Sequence, residues 1–143
     1  MTTSAAAPKW FYALAVVALL WNLMGVAAYV GQMTMSDEAM AALSEAERAL
    51  YETQPAWAVG AFALAVFGGA LGSLLLLLRR RLAEPVLIAS LVGIVVQFVY
   101  NFFIVKTMAV YGPGAVIMPV MVIAIGVALV LLARHARAAG WLR

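Results

Sequence analysis

Residues 56–81 read AWAVGAFALAVFGGALGSLLLLLRRR. From Ala56 to Leu78 no side chain ionises, and then Arg79, Arg80 and Arg81 follow in succession. An uncharged run of about 20 residues is the length of helix that crosses the hydrocarbon core of a bilayer. A basic cluster directly after it marks a cytoplasmic flank. The run is continuous rather than alternating, which disfavours a strand of a membrane barrel. The stretch reads as a membrane helix.

Working outward, three more apolar runs of similar length occupy residues 10–31, 85–105 and 114–133. The whole chain of 143 residues is 67% hydrophobic and only 10% charged, with mean hydropathy +1.06. A soluble domain would have roughly 45–50% apolar and about 25% charged residues. At about 20 residues per crossing, the length accommodates four helices and no separate catalytic or nucleotide-binding domain. Trp10, Tyr12, Tyr29, Trp57, Tyr111 and Trp141 lie near the ends of the runs, where aromatic belts sit at the membrane interfaces. The expected fold is a single all-α domain over residues 1–143, an integral membrane four-helix bundle with antiparallel helices.

Orientation follows from the short-loop lysines and arginines. One side holds Lys9, Arg79, Arg80, Arg81, Arg134, Arg137 and Arg143, and the other only Arg48 and Lys106. Both termini and the 79–84 turn are therefore predicted cytoplasmic, with loops 32–55 and 106–113 facing outward, in a bacterial inner membrane. A signal-peptide reading of the N-terminus would place a cleavage site near Gly25-Val26-Ala27-Ala28, but the first run is too long for a signal core and contains Asn22. The net charge of +3 and pI near 9.6 do not imply nucleic acid. The basic residues flank apolar runs instead of forming a basic face, so the expected surroundings are lipid.

The first outward loop has room for its own structure. Ser36-Asp37-Glu38 reads as a helix start, and Ser44-Glu45-Ala46-Glu47 fits a capping box. A short helix or a pair of turns on the membrane surface, ended by Pro55, is expected, either as a plain connector or as a lid over the outer mouth of the bundle.

Chemistry-bearing residues are few. No cysteine is present, and no Asp, Glu, Lys, Arg or His lies mid-helix. Lys106 sits at the outer end of the third helix, within reach of water. The absence of an embedded acid argues against proton coupling of the usual kind, and against the small multidrug-resistance transporters, which depend on a Glu in their first helix. It also leaves a membrane enzyme without an acid, base or metal-ligand cluster, so no catalytic residues, cofactor or metal are assigned. Met33, Met35, Met40, Met118 and Met121 are soft enough for Cu(I), yet no His or Cys accompanies them, and methionine commonly fills apolar gaps. His135 stands between Arg134 and Arg137 as a headgroup-facing residue.

Neutral polarity is what remains within the membrane. Asn22 falls mid-helix in the first span; Gln97 and Asn101 are four apart on the third, with Tyr100 beside them. Pro119 in the fourth span cannot bond the carbonyl of Ala115 and is expected to bend that helix. Asn22, Gln97, Tyr100, Asn101 and Pro119 are the candidate binding residues for a neutral small molecule. The competing reading makes the amides glue between helices, each such bond contributing about 0.6–2 kcal/mol. In the second span, Gly68-x-x-x-Gly72 and Gly69-x-x-x-Ser73 predict a close-packing face, used within the bundle or against a second copy. The first and third spans also share an aromatic–Asn pair, Trp21-Asn22 and Tyr100-Asn101, a weak sign of duplication.

Trp21-Asn22-Leu23-Met24-Gly25, Leu43 to Arg48, Pro55-Ala56-Trp57, Ala65 to Gly72, Ile117-Met118-Pro119 and Gly140-Trp141-Leu142 together resemble a group of small bacterial four-helix membrane proteins, some of them labelled sugar transporters. The resemblance covers nearly the whole chain and implies a neutral, hydroxyl-rich solute; it carries over no functional residue. The expected function is a non-enzymatic membrane protein that binds or passes a neutral small molecule, as a homo-oligomer. The alternative is an accessory or scaffold subunit of a larger membrane complex.

Overall fold

The structure, a computed structural model, describes residues 6–143. The described residues form helices and no strand. Four spans are long and apolar enough to cross a membrane: α1 (Lys9–Met33), α4 (Ala56–Leu77), Ala83–Ile104 and Pro113–Ala138. The third consists of α5 (Ala83–Val99) followed by a π-helical turn, Tyr100–Ile104; the fourth is a 3₁₀ turn, Pro113–Val116, leading into α7 (Ile117–Ala138). This is the architecture of a multi-pass membrane protein. Large apolar side chains such as Val17, Leu20, Phe103 and Leu131 stand exposed around its circumference, as lipid requires and water would not tolerate in such number.

Between the first two spans lie α2 (Asp37–Ala41) and α3 (Glu45–Glu52). Ser36 caps α2 by accepting from the Ala39 amide at 3.1 Å. Ser44 and Glu47 close a reciprocal capping box on α3. The Arg48 guanidinium reaches back to the carbonyls of Met40, Ala41 and Leu43 at 3.2–3.3 Å, tying the two short helices together. A third short helix, α6 (Thr107–Tyr111), links the third and fourth spans.

The spine is the α4–α5 pair. Gly68, Gly69 and Gly72 are spent here: a Cβ on Gly68 would meet Ser90 at 3.1 Å, one on Gly72 would meet Leu87 at 2.5 Å, and one on Gly69 would overlap the Asn22 side chain. Ser73, the last member of the motif, is fully buried. The reciprocal approach comes from α5, where a Cβ on Gly93 would lie 2.8 Å from the Ala61 carbonyl oxygen and 2.9 Å from the Ala65 nitrogen. Small residues let the two backbones touch, as membrane helix packing demands where dispersion must replace the hydrophobic effect. The face expected to serve either the bundle or a second copy is thus occupied within the chain. Against this spine α1 packs on α4, and α7 packs on α5; α1 and α7 make no comparable interface with each other.

Two local expectations need correction. The third span does not remain α-helical to residue 105: the last turn widens at Tyr100, where the Val105 amide bonds the Tyr100 carbonyl at 3.0 Å. Pro119 does not bend the middle of a helix. It falls in the first turn of α7, just after the 3₁₀ segment, where amide hydrogens have no intrahelical partner and a proline is tolerated.

At one end of the bundle the chain locks on itself. Arg79 and Gly140 adopt left-handed conformations (φ 59° and 79°) after α4 and α7. Each is followed by a Schellman closure, Arg80 N–H to Leu75 O at 2.8 Å and Trp141 N–H to Ala136 O at 2.9 Å. The two closures then pair: Arg143 N–H donates to Arg79 O at 2.8 Å, Arg81 N–H to Arg143 O at 3.1 Å, and Arg79 Nε to Trp141 O at 2.7 Å. The left-handed conformation costs a non-glycine residue on the order of 1 kcal/mol, which this cluster of bonds offsets. Leu142 is buried beneath, and Trp141 meets Trp10, Phe11 and His135 edge-on at 5.1–5.4 Å.

Candidate functional site

The opposite half of the bundle holds a cavity of about 550 Å³. All four spans contribute to it. Trp21, Asn22, Met24 and Gly25 come from α1; Phe62 and Val66 from α4; Gln97 and Phe98 from α5; Met118, Pro119 and Val122 from α7. Tyr100 and Asn101 enter from the π turn. The loop helices form its roof through Leu50 and Tyr51 on α3, Gln54 just beyond it, and Thr107 and Tyr111 on α6. Every candidate binding residue named from the sequence therefore faces one space, whereas Gly68, Gly72 and Ser73 lie outside it in the spine.

The polar groups divide into paired and unpaired. Asn22 is held: its amide nitrogen donates to Ala18 O at 2.9 Å and to Ser73 Oγ at 3.2 Å, and its oxygen seats over Gly69. Ser90 donates to the Ala65 carbonyl at 2.6 Å. The Asn22–Ser73 and Ser90–Ala65 bonds are interhelical bonds of the glue type, in the packed layer beneath the cavity. Gln97 and Tyr100 differ. Among the described residues, the Gln97 side-chain oxygen and the Tyr100 hydroxyl are the buried side-chain polar atoms without a hydrogen-bond partner. Leaving such a group unmatched costs about 1–3 kcal/mol, and both belong to residues that line the cavity although the two atoms themselves are buried.

Local structure explains their placement. A π turn inserts one extra residue per turn and is found mostly where function outweighs regularity. Here it buries Tyr100, whose ring packs edge-on against Trp57 at 5.2 Å. Thr107 Oγ1 donates to the Asn101 backbone carbonyl at 2.7 Å, satisfying one of the acceptors at the end of the span. Lys106, at φ 52°, turns the chain sharply into α6. Sequence reasoning assigned these residues to an ordinary helix end, and the Asn-Phe-Phe run gives no π signal.

No residue lining the cavity carries a formal charge. On the roof, burial pushes the Tyr111 phenol above its ordinary value, and neighbouring Tyr51 and Glu47 push the same way. It is neutral throughout the physiological range. Gln32 at the end of α1 donates to Gln54 Oε1 at 2.8 Å, fastening the roof to the first span. Gln32 and Gln54 were not singled out in the sequence, although both sit in the loop expected as a lid; Tyr111 was read only as an interface aromatic. Toward the locked end the cavity gives way to a pocket of only about 20 Å³ among Gly69, Leu87, Ser90 and Leu129, room for about a single water. Beyond it the buried cluster of Phe11, Ala15, Leu76 and Ala133 closes the bundle.

Glu84 is a second residue the sequence left unassigned. It is buried in the first turn of α5 at the locked end, 3.6 Å from Arg134 and 3.3 Å from Arg137. The i, i+3 spacing of those arginines on α7 was the available signal.

Compared with protein-family models, curated proteins and solved structures, the chain matches none.

Proposed function

We propose that this is a membrane protein of a bacterial inner membrane, with antiparallel helices and both termini cytoplasmic, that binds a neutral small molecule in the outward half of its bundle. The orientation rests on the cytoplasmic bias of lysine and arginine: Arg79, Arg80, Arg81, Arg134, Arg137 and Arg143 gather at the locked end. The binding reading is carried by one observation, the buried and unpartnered Gln97 carbonyl and Tyr100 hydroxyl of two residues that line a cavity of about 550 Å³ free of charge. Ligand sites are typically about 300–1,000 Å³, mostly apolar, with a few convergent polar groups. Binding is favoured over passage because the cavity stops above the packed layer held by the Asn22–Ser73 and Ser90–Ala65 bonds, where space for only about one water is left. All four spans of one chain line the cavity, and the α4 glycine face that would serve an accessory subunit is already occupied.

The natural chain has no cysteine, so single introduced thiols report without background. Gln97→Cys is expected to react with N-ethylmaleimide in the folded protein several-fold faster than Ser73→Cys in the packed spine. Octanol should slow it, and acetate or choline should not. For orientation, Glu38→Cys should label from outside intact cells with an impermeant reagent, and Arg80→Cys only after lysis. Reaction of Gln97→Cys solely after denaturation, or equal protection by charged solutes, overturns the binding reading; reversed labelling overturns the orientation.

A further inference from the structure

The cavity has two sides by which a ligand could arrive, and they are built differently. The water-facing side carries a roof: Tyr51 and Gln54 from the first loop, Thr107 and Tyr111 from the second, with Gln32 bonded to Gln54. The membrane-facing side carries no such closure. Both flanking spans border the cavity, α1 through Met24 and α7 through Met118, yet α1 packs on α4, α7 packs on α5, and the two share no interface of comparable extent. The rim between them is marked by side chains that both line the cavity and stand open, Met24 at 67% and Met118 at 58% exposure. Methionine is the most pliable of the apolar side chains, suited to a rim that must part and re-form.

Resting on the binding reading above, we infer that the ligand comes from the bilayer: a neutral single-chain amphiphile with a hydroxyl-bearing head, of the class of monoacylglycerols and long-chain alcohols. Once the Gln97 amide and the Tyr100 ring turn slightly toward the cavity, one hydroxyl can donate to Gln97 Oε1 and a hydroxyl oxygen can accept from Tyr100, which satisfies both buried, unpartnered groups. The hydrocarbon chain lies against Trp21, Phe62 and Phe98 and leaves between Met24 and Met118 into the surrounding lipid. Charged headgroups are excluded because no lining residue offers a counter-charge, and burying an unpaired charge is prohibitive. A free sugar fits the two polar atoms but would leave most of its hydroxyls against aliphatic and aromatic wall, each at a desolvation cost.

The test is native mass spectrometry of the full chain released from mild detergent, offered 1-monomyristoylglycerol, phosphatidylglycerol or glucose. One monomyristoylglycerol per chain is expected, with no retained glucose or phosphatidylglycerol. Gln97→Leu should weaken that binding about tenfold or more, and Tyr100→Phe, which keeps the ring against Trp57, should weaken it severalfold while the circular dichroism of both variants stays unchanged. Met118→Trp, which bulks the rim, should slow exchange of bound amphiphile and leave glucose behaviour unaltered. Glucose binding that is lost in Gln97→Leu, without amphiphile binding, overturns the membrane origin while leaving the site intact. Amphiphile binding indifferent to Gln97→Leu and Tyr100→Phe, or no binding of any probe, overturns both.

Discussion

The two ends of the bundle are built from the same kind of helix and end up with opposite economies of polar groups. At the locked end, the turn after α4 and the tail after α7 exchange backbone bonds, Arg79 holds the Trp141 carbonyl, and Glu84 sits between Arg134 and Arg137. At the cavity end, a π turn, a left-handed Lys106 and two unpartnered polar atoms coexist within a few residues. A fold that satisfies its backbone so thoroughly at one end tolerates unsatisfied groups at the other, where a ligand can supply what is missing. Regions of low local stability are where binding elements are drawn from.

The spine common to both ends sets the largest expected effect. Gly93→Val would drive a branched side chain into the α4 backbone, 2.8 Å from the Ala61 oxygen and 2.9 Å from the Ala65 nitrogen. Backbone cannot move aside as a side-chain tip can, so a loss above about 3 kcal/mol is expected. The measurement is thermal unfolding in mild detergent, followed by circular dichroism. A melting temperature within a degree of wild type would mean that the α4–α5 approach is not what holds the two ends in one body.

The locked end should yield the next effect. Leu142 is almost fully buried although it is the penultimate residue. Leu142→Ala is expected to cost about 2–3 kcal/mol, against within about 0.5 kcal/mol for a truncation at the exposed end of α1 such as Met33→Ala. Equal, small losses for both would erase the contrast between the ends. A larger loss for Met33→Ala would invert it.

How far this contrast could be read from the sequence depends on the physics behind each part. The four spans were legible because lipid imposes length and apolarity on every crossing, and runs such as Ala56 to Leu78 satisfy both without ambiguity. The loop helices were legible because Ser36 and the Ser44–Glu47 box act within four residues of chain. Gly68, Gly69 and Gly72 announced close packing but could not say against what; the partner is Leu87, Ser90 and Asn22, set by tertiary placement. Gly93 and Glu84 escaped notice because each acts through a partner distant in sequence. Asn22, Gln97 and Asn101 were recognisable as the intramembrane amides, but whether each is glue or ligand contact depends on hydrogen bonds that only the assembled bundle reveals. Asn22 is bonded to Ser73, whereas the Gln97 oxygen is bonded to nothing.

That last difference gives the smallest effect and the most discriminating one, because its sign separates the two roles. Asn22→Leu removes a satisfied interhelical bond and places a methyl-bearing side chain over Gly69, so it should destabilise the ligand-free protein by about 2 kcal/mol. Tyr100→Phe instead deletes a hydroxyl that has no partner while the ring keeps its packing on Trp57. Relief of an unsatisfied buried group should leave stability unchanged or raise it by up to about 1 kcal/mol. A residue that stabilises when truncated is retained for something other than folding, and the functional compromise of stability at binding sites is the general form of that trade. The check is the pair of melting curves in detergent stripped of copurifying amphiphile, then repeated with monomyristoylglycerol added. Wild type should gain on addition and Tyr100→Phe should gain less. If Tyr100→Phe is instead as damaging as Asn22→Leu in the stripped protein, the hydroxyl serves the fold, and the two ends differ in geometry but not in purpose.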